Sequence, residues 1–191
     1  MQEWVYFLQR EAVSEGERVI VFIDGSNFYH SLKSGFGSAK IDFSLLINHL
    51  VGNRHLVRVY YYNATLHPTQ GEQQVKSQQS FLNAVRSLPY FEVRLGRLEP
   101  RGNTYVEKGV DVRLAVEMLK FAVAGIYDTA ILVSGDADFS HAVQAVKDLG
   151  KHVELAFCTR GLSRQLQQVC DRFIQIDQDL LEECGWQSPP S

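Results

Sequence analysis

Four aspartates have the residue type and the setting for metal or phosphate chemistry. Asp24 and the pair Asp136 and Asp138 each follow directly on a continuous apolar run, and Asp111 opens a helical segment. Carboxylates brought into one cleft repel one another, and a hard divalent cation relieves that repulsion. Oxygen ligands with positions left for water and phosphate favour Mg²⁺ or Mn²⁺ over Zn²⁺. We therefore interpret these four residues as candidate metal ligands and catalytic residues.

Each aspartate also has a simpler structural interpretation. Asp24, followed by Gly25, could form a turn after a strand. Asp111 could be a carboxylate favoured by the helix dipole, and Asp136 could cap a helix. Capping alone explains less well why Asp138 follows Asp136 so closely after an apolar run. The joint placement of the four residues favours an acidic site.

Polar residues beside the aspartates are candidate substrate-binding groups. Ser26 and Asn27 lie in the first turn after Asp24, and Ser134 lies two residues before Asp136. Their side chains, and the free N–H groups of a helix start, could hold a phosphate or a metal-bound water. Ordinary capping remains an equal alternative for all three.

A basic strip is the second candidate for substrate binding. Arg97, Arg101 and Lys108 could follow a phosphate backbone together with Arg94 and Arg113. Tyr105 could stack on a base, but Glu92, Glu99 and Glu107 dilute the positive charge. A solvated face of mixed charge remains the alternative.

The order of elements predicts how these residues are positioned. Apolar, β-branched runs predict strands, and they alternate with segments of helical periodicity. Such alternation predicts a three-layer α/β/α fold with a central, mainly parallel sheet of five to six strands. The carboxyl ends of parallel strands meet at one edge, where ligands bind. The predicted strands cover 18–23, 55–62, 91–95, 129–133, 151–157 and 173–176. One predicted helix opens after the turn at 24–27 and runs through Leu32, another runs from Asp138 to Leu149, and the others cover 41–50, 69–88, 110–124 and 162–169.

The chain divides into one domain with two short extensions. We predict an N-terminal helical extension over 1–17, the domain over 18–176, and an acidic, frayed C-terminal tail over 177–191. Residues 99–108 have the composition of a loop. In the helix over 110–124, one face carries apolar side chains: Val112, Ala115, Val116, Leu119 and Val123.

The N-terminal extension has an apolar face that is too short to fold alone. Trp4, Phe7 and Leu8 lie at helical spacing. The segment should therefore dock either on its own domain or on a second copy, which would give a homodimer. It is too short for a signal peptide and has no basic leader.

Composition excludes several classes of protein. The chain of 191 residues has 45% hydrophobic and 21% charged residues, which is typical of globular proteins, and its net charge of −3 excludes a bulk basic nucleic-acid binder. Cys158, Cys170 and Cys184 form no metal or disulfide pattern. With no apolar run of membrane-spanning length, we expect a cytoplasmic protein that does not bind membranes. No zinc-protease, Walker or Ser-His-Asp pattern occurs.

Three motifs together resemble the NYN domain, and more narrowly its bacterial LabA-like branch. They are VFIDGSNF at 21–28, KGVDV at 108–112 and LVSGDADF at 132–139. The resemblance covers roughly residues 18–176. NYN domains belong to the PIN-like nuclease superfamily. The resemblance implies a parallel sheet with helices on both sides, an acidic metal site at its carboxyl edge, and ribonuclease activity.

Carried across residue by residue, the resemblance assigns the four aspartates to the family's acidic metal-binding positions. Asn27 matches the polar residue after the first aspartate, and Ser134 matches the hydroxyl before the last pair. The resulting hypothesis is a Mg²⁺- or Mn²⁺-dependent endoribonuclease that acts on single-stranded RNA. The alternative is a non-catalytic regulatory module that binds RNA or a protein through the same cleft. A haloacid-dehalogenase-like phosphatase fits less well, because Ser26 stands where that class needs an aspartate.

Overall fold

The computed structural model describes residues 16–66, 69, 71–101 and 104–187. For residues 97–101 and 104–108 it describes the backbone only. Almost all of the predicted N-terminal helix therefore lies outside the described residues, as do the last four residues of the predicted tail.

Strands and helices alternate along most of the described chain. The strands are β1 (Arg18–Asp24), β2 (His55–Ala64), β3 (Phe91–Arg101), β4 (Thr104–Lys108), β5 (Thr129–Val133), β6 (His152–Phe157) and β7 (Arg172–Gln175). The α-helices are α1 (Gly25–Phe36), α2 (Phe43–Val51), α3 (Glu72–Ser87), α4 (Val110–Val123), α5 (Ser140–Asp148), α6 (Arg164–Val169) and α7 (Gln178–Glu183). A 3₁₀ turn, Ala137–Phe139, precedes α5.

The described strands form one sheet in the order β4-β3-β2-β1-β5-β6-β7. All neighbouring pairs are parallel except β3 and β4, which are antiparallel. The predicted α/β fold with a mainly parallel sheet is confirmed. Because β1, β2 and β5 are adjacent and parallel, their carboxyl ends meet at one edge, which we call the acidic edge after Asp24 and the Asp136–Asp138 loop.

The middle of the sheet is buried on both faces. Residues 19–23 of β1 and 130–133 of β5 have no exposed surface. Alternate side chains of β1 enter two separate cores: Val21 packs with α1 to α3, and Phe22 packs with α4 and α5. A central strand needs apolar residues at every position for this reason, which is why the sequence pattern revealed these two strands.

The segment 99–108 is not the loop that its composition suggested. β3 continues to Arg101, and Thr104–Lys108 forms β4 in antiparallel register, with Arg97 opposite Lys108 and Arg101 opposite Thr104. A strand at the edge of a sheet does not need the apolar residues of a central strand, and charged residues are typical of sheet edges. The polar composition therefore concealed a strand.

The C-terminal segment is also more ordered than predicted. Asp177 caps α7 by accepting a hydrogen bond from Leu180 N at 3.1 Å, and Leu181 is fully buried. Trp186 is 7% exposed and donates its indole N–H to Ser38 O. The acidic segment is therefore packed as far as Trp186, because its few apolar side chains complete the core that contains α1 and α2.

α4 carries a second apolar face, which the structure leaves in solvent. The helix buries Val110, Leu114, Met118, Phe121 and Ala122 against the sheet. On the face identified from the sequence, Val112, Val116 and Val123 are exposed, whereas Ala115 and Leu119 are partly buried against the same core. Both faces are apolar, and the one with the larger side chains packs on the sheet.

A buried ion pair ties the end of α2 to β6. Both terminal nitrogens of Arg54 bind the carboxylate of Glu154, at 3.0 and 2.9 Å, and the Arg54 side chain also donates to Leu50 O and Val51 O. The two side chains are only 11% and 10% exposed. Removing the Arg54 guanidinium would leave the buried Glu154 carboxylate without the two hydrogen bonds and the positive charge that stabilise it.

We expect Arg54→Met to lower the free energy of unfolding by about 2–3 kcal/mol in urea denaturation. The value stays below that of an isolated buried charge because Arg172 lies 3.7 Å from Glu154. Lys76→Met is the matched control, since the Lys76–Glu72 pair is largely exposed and should contribute less than about 1 kcal/mol. Equal losses in the two variants would contradict the assignment of a buried pair.

None of the helices in the described ranges combines the length and apolar character needed to cross a bilayer. The three cysteines are free thiols, with Cys158 and Cys184 buried.

Candidate functional site

Asp24 is the centre of the acidic edge. It is the last residue of β1, is 4% exposed, and caps α1 by accepting a hydrogen bond from Asn27 N on Oδ1 at 3.1 Å. Its other oxygen accepts a hydrogen bond from Ser134 Oγ at 3.0 Å. Asp24 can therefore stabilise the turn into α1 and also belong to a functional site, because Oδ1 caps the helix while the charge remains at the end of β1.

Ser134 and Asn27 join the loops that follow β1 and β5. Ser134 is fully buried, and its hydroxyl accepts a hydrogen bond from Asp136 N at 3.2 Å while it donates to Asp24. Asn27 accepts a hydrogen bond from Gly135 N on Oδ1 at 2.9 Å. These bonds connect residues more than 100 positions apart in sequence. They hold the two aspartate-bearing loops in one arrangement.

Asp136 and Asp138 lie on the turn after β5. Asp136 caps the 3₁₀ turn by accepting a hydrogen bond from Asp138 N on Oδ1 at 3.0 Å, and it is half-buried, whereas Asp138 is exposed. Phe139, which is 1% exposed, anchors the turn in the core. Capping thus accounts for one oxygen of Asp136 and leaves the exposed Asp138 without a structural role of this kind.

Asp111 reaches the same region from α4. Gly109 precedes the helix at φ 85°, a left-handed conformation that favours glycine and sets the direction in which α4 begins. Partial burial raises the pKa of Asp111, and the negative charges of Asp136 and Asp138 raise it further. α4 also contacts the 3₁₀ turn Ala137–Phe139, so Asp111 and the Asp136–Asp138 turn lie on the same face of the sheet.

Two glycines allow the close packing of this edge. A Cβ on Gly25 would come within 2.6 Å of the Tyr61 ring. A Cβ on Gly135 would lie 2.8 Å from Phe157 Cδ1 and even nearer to Gly161 O. Glycine is therefore required at both positions by contact, independently of backbone conformation.

The structure adds two residues of β2 to this edge, Asn63, which the sequence did not single out, and Tyr61, one of three adjacent tyrosines. Asn63 accepts a hydrogen bond from Ser26 Oγ at 2.9 Å, so the candidate Ser26 faces the end of β2 and not the β5 loop. Burial raises the pKa of Tyr61, and the charge of Asp24 raises it further. The run Tyr60-Tyr61-Tyr62 was visible, but alternation could not show which ring meets the first aspartate.

The described part of the basic strip is internally paired. Arg113 Nε donates to Glu117 at 2.9 Å, and Arg94 lies 2.8 Å from Glu92 and 3.4 Å from Glu117. These two arginines are thus largely neutralised by neighbouring carboxylates. The side chains of the other three strip residues lie outside the described residues: Arg97, Arg101 and Lys108.

The chemistry of the acidic edge fits a hard divalent cation. Its ionisable side chains are carboxylates, and two of the four, Asp111 and Asp138, are exposed. Among the described residues, no three His, Cys, Asp or Glu side chains are spaced to hold an ion together. Mg²⁺ is commonly bound by one or two carboxylates plus water and substrate phosphate, so the donor set fits without a complete protein cage.

A mainly parallel sheet with aspartates at its carboxyl edge matches the PIN-like class of α/β domains, which are generally nucleases that use divalent metals. Within this class the chain belongs to the NYN-domain family, whose model matches residues 18–177. NYN domains generally bind RNA.

Two known proteins resemble the chain over most of its length, and a third resembles a shorter part of it. It is 28% identical over 169 residues to the Low amplitude and bright protein LabA of Synechococcus elongatus, covering 84% of each chain. An uncharacterised protein of Methanocaldococcus jannaschii is 34% identical over 70 residues, 37% of this chain and 29% of that one. A Vibrio parahaemolyticus protein of unknown function shares the fold, with a TM-score of 0.73 and 24% identity over 87% of this chain and 96% of its own.

Proposed function

We propose that the protein is a Mg²⁺- or Mn²⁺-dependent endoribonuclease that cleaves single-stranded RNA at the acidic edge. The observation that carries the proposal is the hydrogen-bonded connection between two aspartate-bearing loops at the carboxyl edge of the sheet. Ser134 donates to Asp24 at the end of β1 and accepts a hydrogen bond from Asp136 N on the turn after β5. A module that only binds RNA gains little from carboxylates facing phosphate, because like charges repel. Such a cluster is useful when a cation stands between it and the phosphate.

In the proposed mechanism, one or two of the carboxylates of Asp24, Asp136 and Asp138 would hold the ion, together with water and the RNA phosphate. Asp111 would complete the ion's shell or orient the attacking water. A bound divalent ion supplies activation of water and neutralises charge on the phosphate. Ser134 keeps the Asp24 carboxylate oriented by donating to Oδ2. Burial of Asp24 keeps one charge fixed at the strand end, whereas the exposed Asp138 can adjust to the substrate.

The substrate would approach along the helix start of α1 and the β3–β4 hairpin. Ser26 and Asn27 are the proposed phosphate contacts on α1, with the Asn27 amide N–H₂ in the role of donor while its Oδ1 binds Gly135 N. Arg97, Arg101 and Lys108 are the proposed backbone contacts on the hairpin. Since Arg94 and Arg113 are paired with carboxylates, we expect these three to supply most of the positive charge.

A cleavage assay tests this function directly. Purified protein is incubated with a fluorescently labelled single-stranded RNA in Mn²⁺ or Mg²⁺, with and without excess chelator, and the products are resolved on a denaturing gel. We expect internal cleavage that requires the ion. Cleavage that persists in excess chelator would contradict the metal-dependent mechanism.

The alternative is a non-catalytic module that binds RNA or a protein partner through the same cleft. The hydrogen bonds of Asp24 favour it, because both carboxylate oxygens already accept a bond from the protein and so have a structural role without an ion. In the same assay this alternative predicts that RNA is bound, as measured by fluorescence anisotropy, but remains intact in both metals.

Thermal melts test the ion itself. In chelator we expect Asp136→Asn to melt roughly 1–2 °C above the wild type, because relief of partly exposed like charges is worth about 0.5 kcal/mol. Asparagine caps as well as aspartate, so the 3₁₀ turn should be retained. Mn²⁺ at about 100 times its Kd should stabilise the wild type by about 2.7 kcal/mol and the variant much less.

Asp177→Asn is the control for this experiment, since Asp177 caps α7 after β7, which lies two strands beyond β5 in the sheet. Its response to Mn²⁺ should equal that of the wild type. If Mn²⁺ shifts neither the wild-type nor the Asp136→Asn curve, the four aspartates do not form an ion site.

A further inference from the structure

The exposed face of α4 has the spacing of a coiled-coil seam. Val112, Val116 and Val123 are 67%, 57% and 69% exposed, and Leu119 lies between them, only partly buried. Their separations of four, three and four residues are those of alternating d and a positions in a heptad. No described segment covers this seam, although an apolar row of this kind pairs with a second helix where it occurs in a coiled coil.

The N-terminal segment, residues 1–15, repeats the same spacing. Met1, Val5, Leu8 and Ala12 each stand 111 positions before a member of the α4 seam. In both rows the a positions carry Val or Ala and the central d position carries Leu, a combination that favours two-stranded parallel pairing. Trp4 flanks the row directly before Val5.

The described chain begins at the end of α4 from which such pairing could start. Arg18 Nη1 donates to Gly125 O at 2.8 Å, and Arg18 N donates to Asp128 at 3.0 Å. Gly125 lies two residues beyond the end of α4. The described chain therefore begins near the C-terminal end of α4, and a segment that ran from there back along α4 would be parallel to that helix.

The lengths also agree. As a helix, Met1 to Ala12 spans about 17 Å at 1.5 Å per residue, and Val112 to Val123 spans the same distance. Residues 13–17 remain to connect Ala12 to Arg18, which is ample because the two points lie at the same end of α4.

We propose that residues 1–15 form a helix that packs in parallel on the Val112–Val123 seam of its own chain. Residues 1, 5, 8 and 12 would lie beside residues 112, 116, 119 and 123, and each row would remove the other from water. The short distance between the point of attachment and the seam favours the same chain over a second copy, because it gives a high effective concentration. The proposal does not depend on whether the acidic edge cleaves RNA.

Trp4 fluorescence tests the proposal in the full chain. The Trp4 contribution is obtained by subtracting the spectrum of Trp4→Phe, which retains the buried Trp186. We expect Trp4 to emit at shorter wavelength, and to be quenched less by acrylamide, than in the free peptide 1–15. The double variant Val116→Asp/Val123→Asp should return both values to those of the peptide. Its seam positions are exposed, so circular dichroism should show an intact domain.

Leu45→Asp is the matched control, because Leu45 is a 45% exposed apolar residue on α2, away from the seam. It should leave the Trp4 signal unchanged. A Trp4 signal that is peptide-like in the wild type, or that the double variant does not move, would overturn the proposal. Light scattering that gives two chains, with a Trp4 signal that becomes peptide-like on dilution, would overturn it in favour of a second copy.

Discussion

Asp24→Asn is expected to slow metal-dependent RNA cleavage at least about 100-fold while leaving the fold intact. Asp24 is 4% exposed, so water screens its charge weakly. The charge should therefore attract a divalent ion at the end of β1 strongly. Asparagine keeps the Oδ1 acceptor for Asn27 N, but it replaces the charged Oδ2 that faces Ser134 with an amide N–H₂. Cleavage rates at saturating Mn²⁺, with circular dichroism for folding, measure the effect.

Asp42→Asn is the matched control for this substitution. Asp42 caps α2 by accepting hydrogen bonds from Ser44 N and Leu45 N, as Asp24 caps α1, but it is exposed and lies between two helices and not at the end of a strand. Its activity should equal that of the wild type. The proposed role of Asp24 would be wrong if the Asp24→Asn enzyme cleaved within a few-fold of the control.

Gly135→Ala should be among the most destabilising single-methyl additions in this chain. The new Cβ would meet the Phe157 ring at 2.8 Å and, even nearer, the backbone oxygen of Gly161. The loop that contains Gly161 cannot retreat freely, because Ser163 N donates to Gly135 O at 2.9 Å and Ser31 Oγ donates to Arg160 O at 2.9 Å. We expect a loss of about 3 kcal/mol or more in urea denaturation.

The same change should also lower activity, because the displaced loop carries Gly135 N away from Asn27. Gly35→Ala provides the opposite control. Gly35 lies within α1, and its neighbours leave more than 4 Å of space around the position that a new methyl group would take. Alanine should therefore stabilise the helix by roughly 0.5–1 kcal/mol. A Gly135→Ala variant as stable as the wild type would show that the loop after β6 yields readily.

The parts of the fold that could be predicted from the sequence were those whose burial restricts which residues are allowed. β1 and β5 lie at the centre of the sheet, and burial on both faces demands an unbroken apolar run. β4 lies at the edge, where charged residues are acceptable, so nothing in its composition distinguished it from a loop. The acidic segment of α7 was judged by its charge, but Leu180 and Leu181 dock it on the core.

At the site, the residue types were visible and the contacts between them were not. Asp24 and the Asp136–Asp138 pair could be located because each follows a strand, and parallel strands present their ends at one edge. The Asn27 bond to Gly135 and the Ser26 bond to Asn63 join positions 108 and 37 apart, and no local pattern encodes such pairs. The pairing of Arg94 and Arg113 was equally hidden, since Glu117 on α4 binds Arg113 one turn away on the same helix and Arg94 on β3.

The sequence by itself determined the α/β class, the order of the main elements and the positions of the four aspartates, because these depend on local periodicity and on strand ends. Only the tertiary structure decided which apolar face of α4 is buried. Both faces satisfy the helical period, and the choice depends on whether Leu114 and Met118 or Val112 and Val116 fill the space against β1 and β2. The choice is made by how closely the side chains fit in volume and shape against elements distant in sequence. The periodicity of a single helix carries no information about that fit.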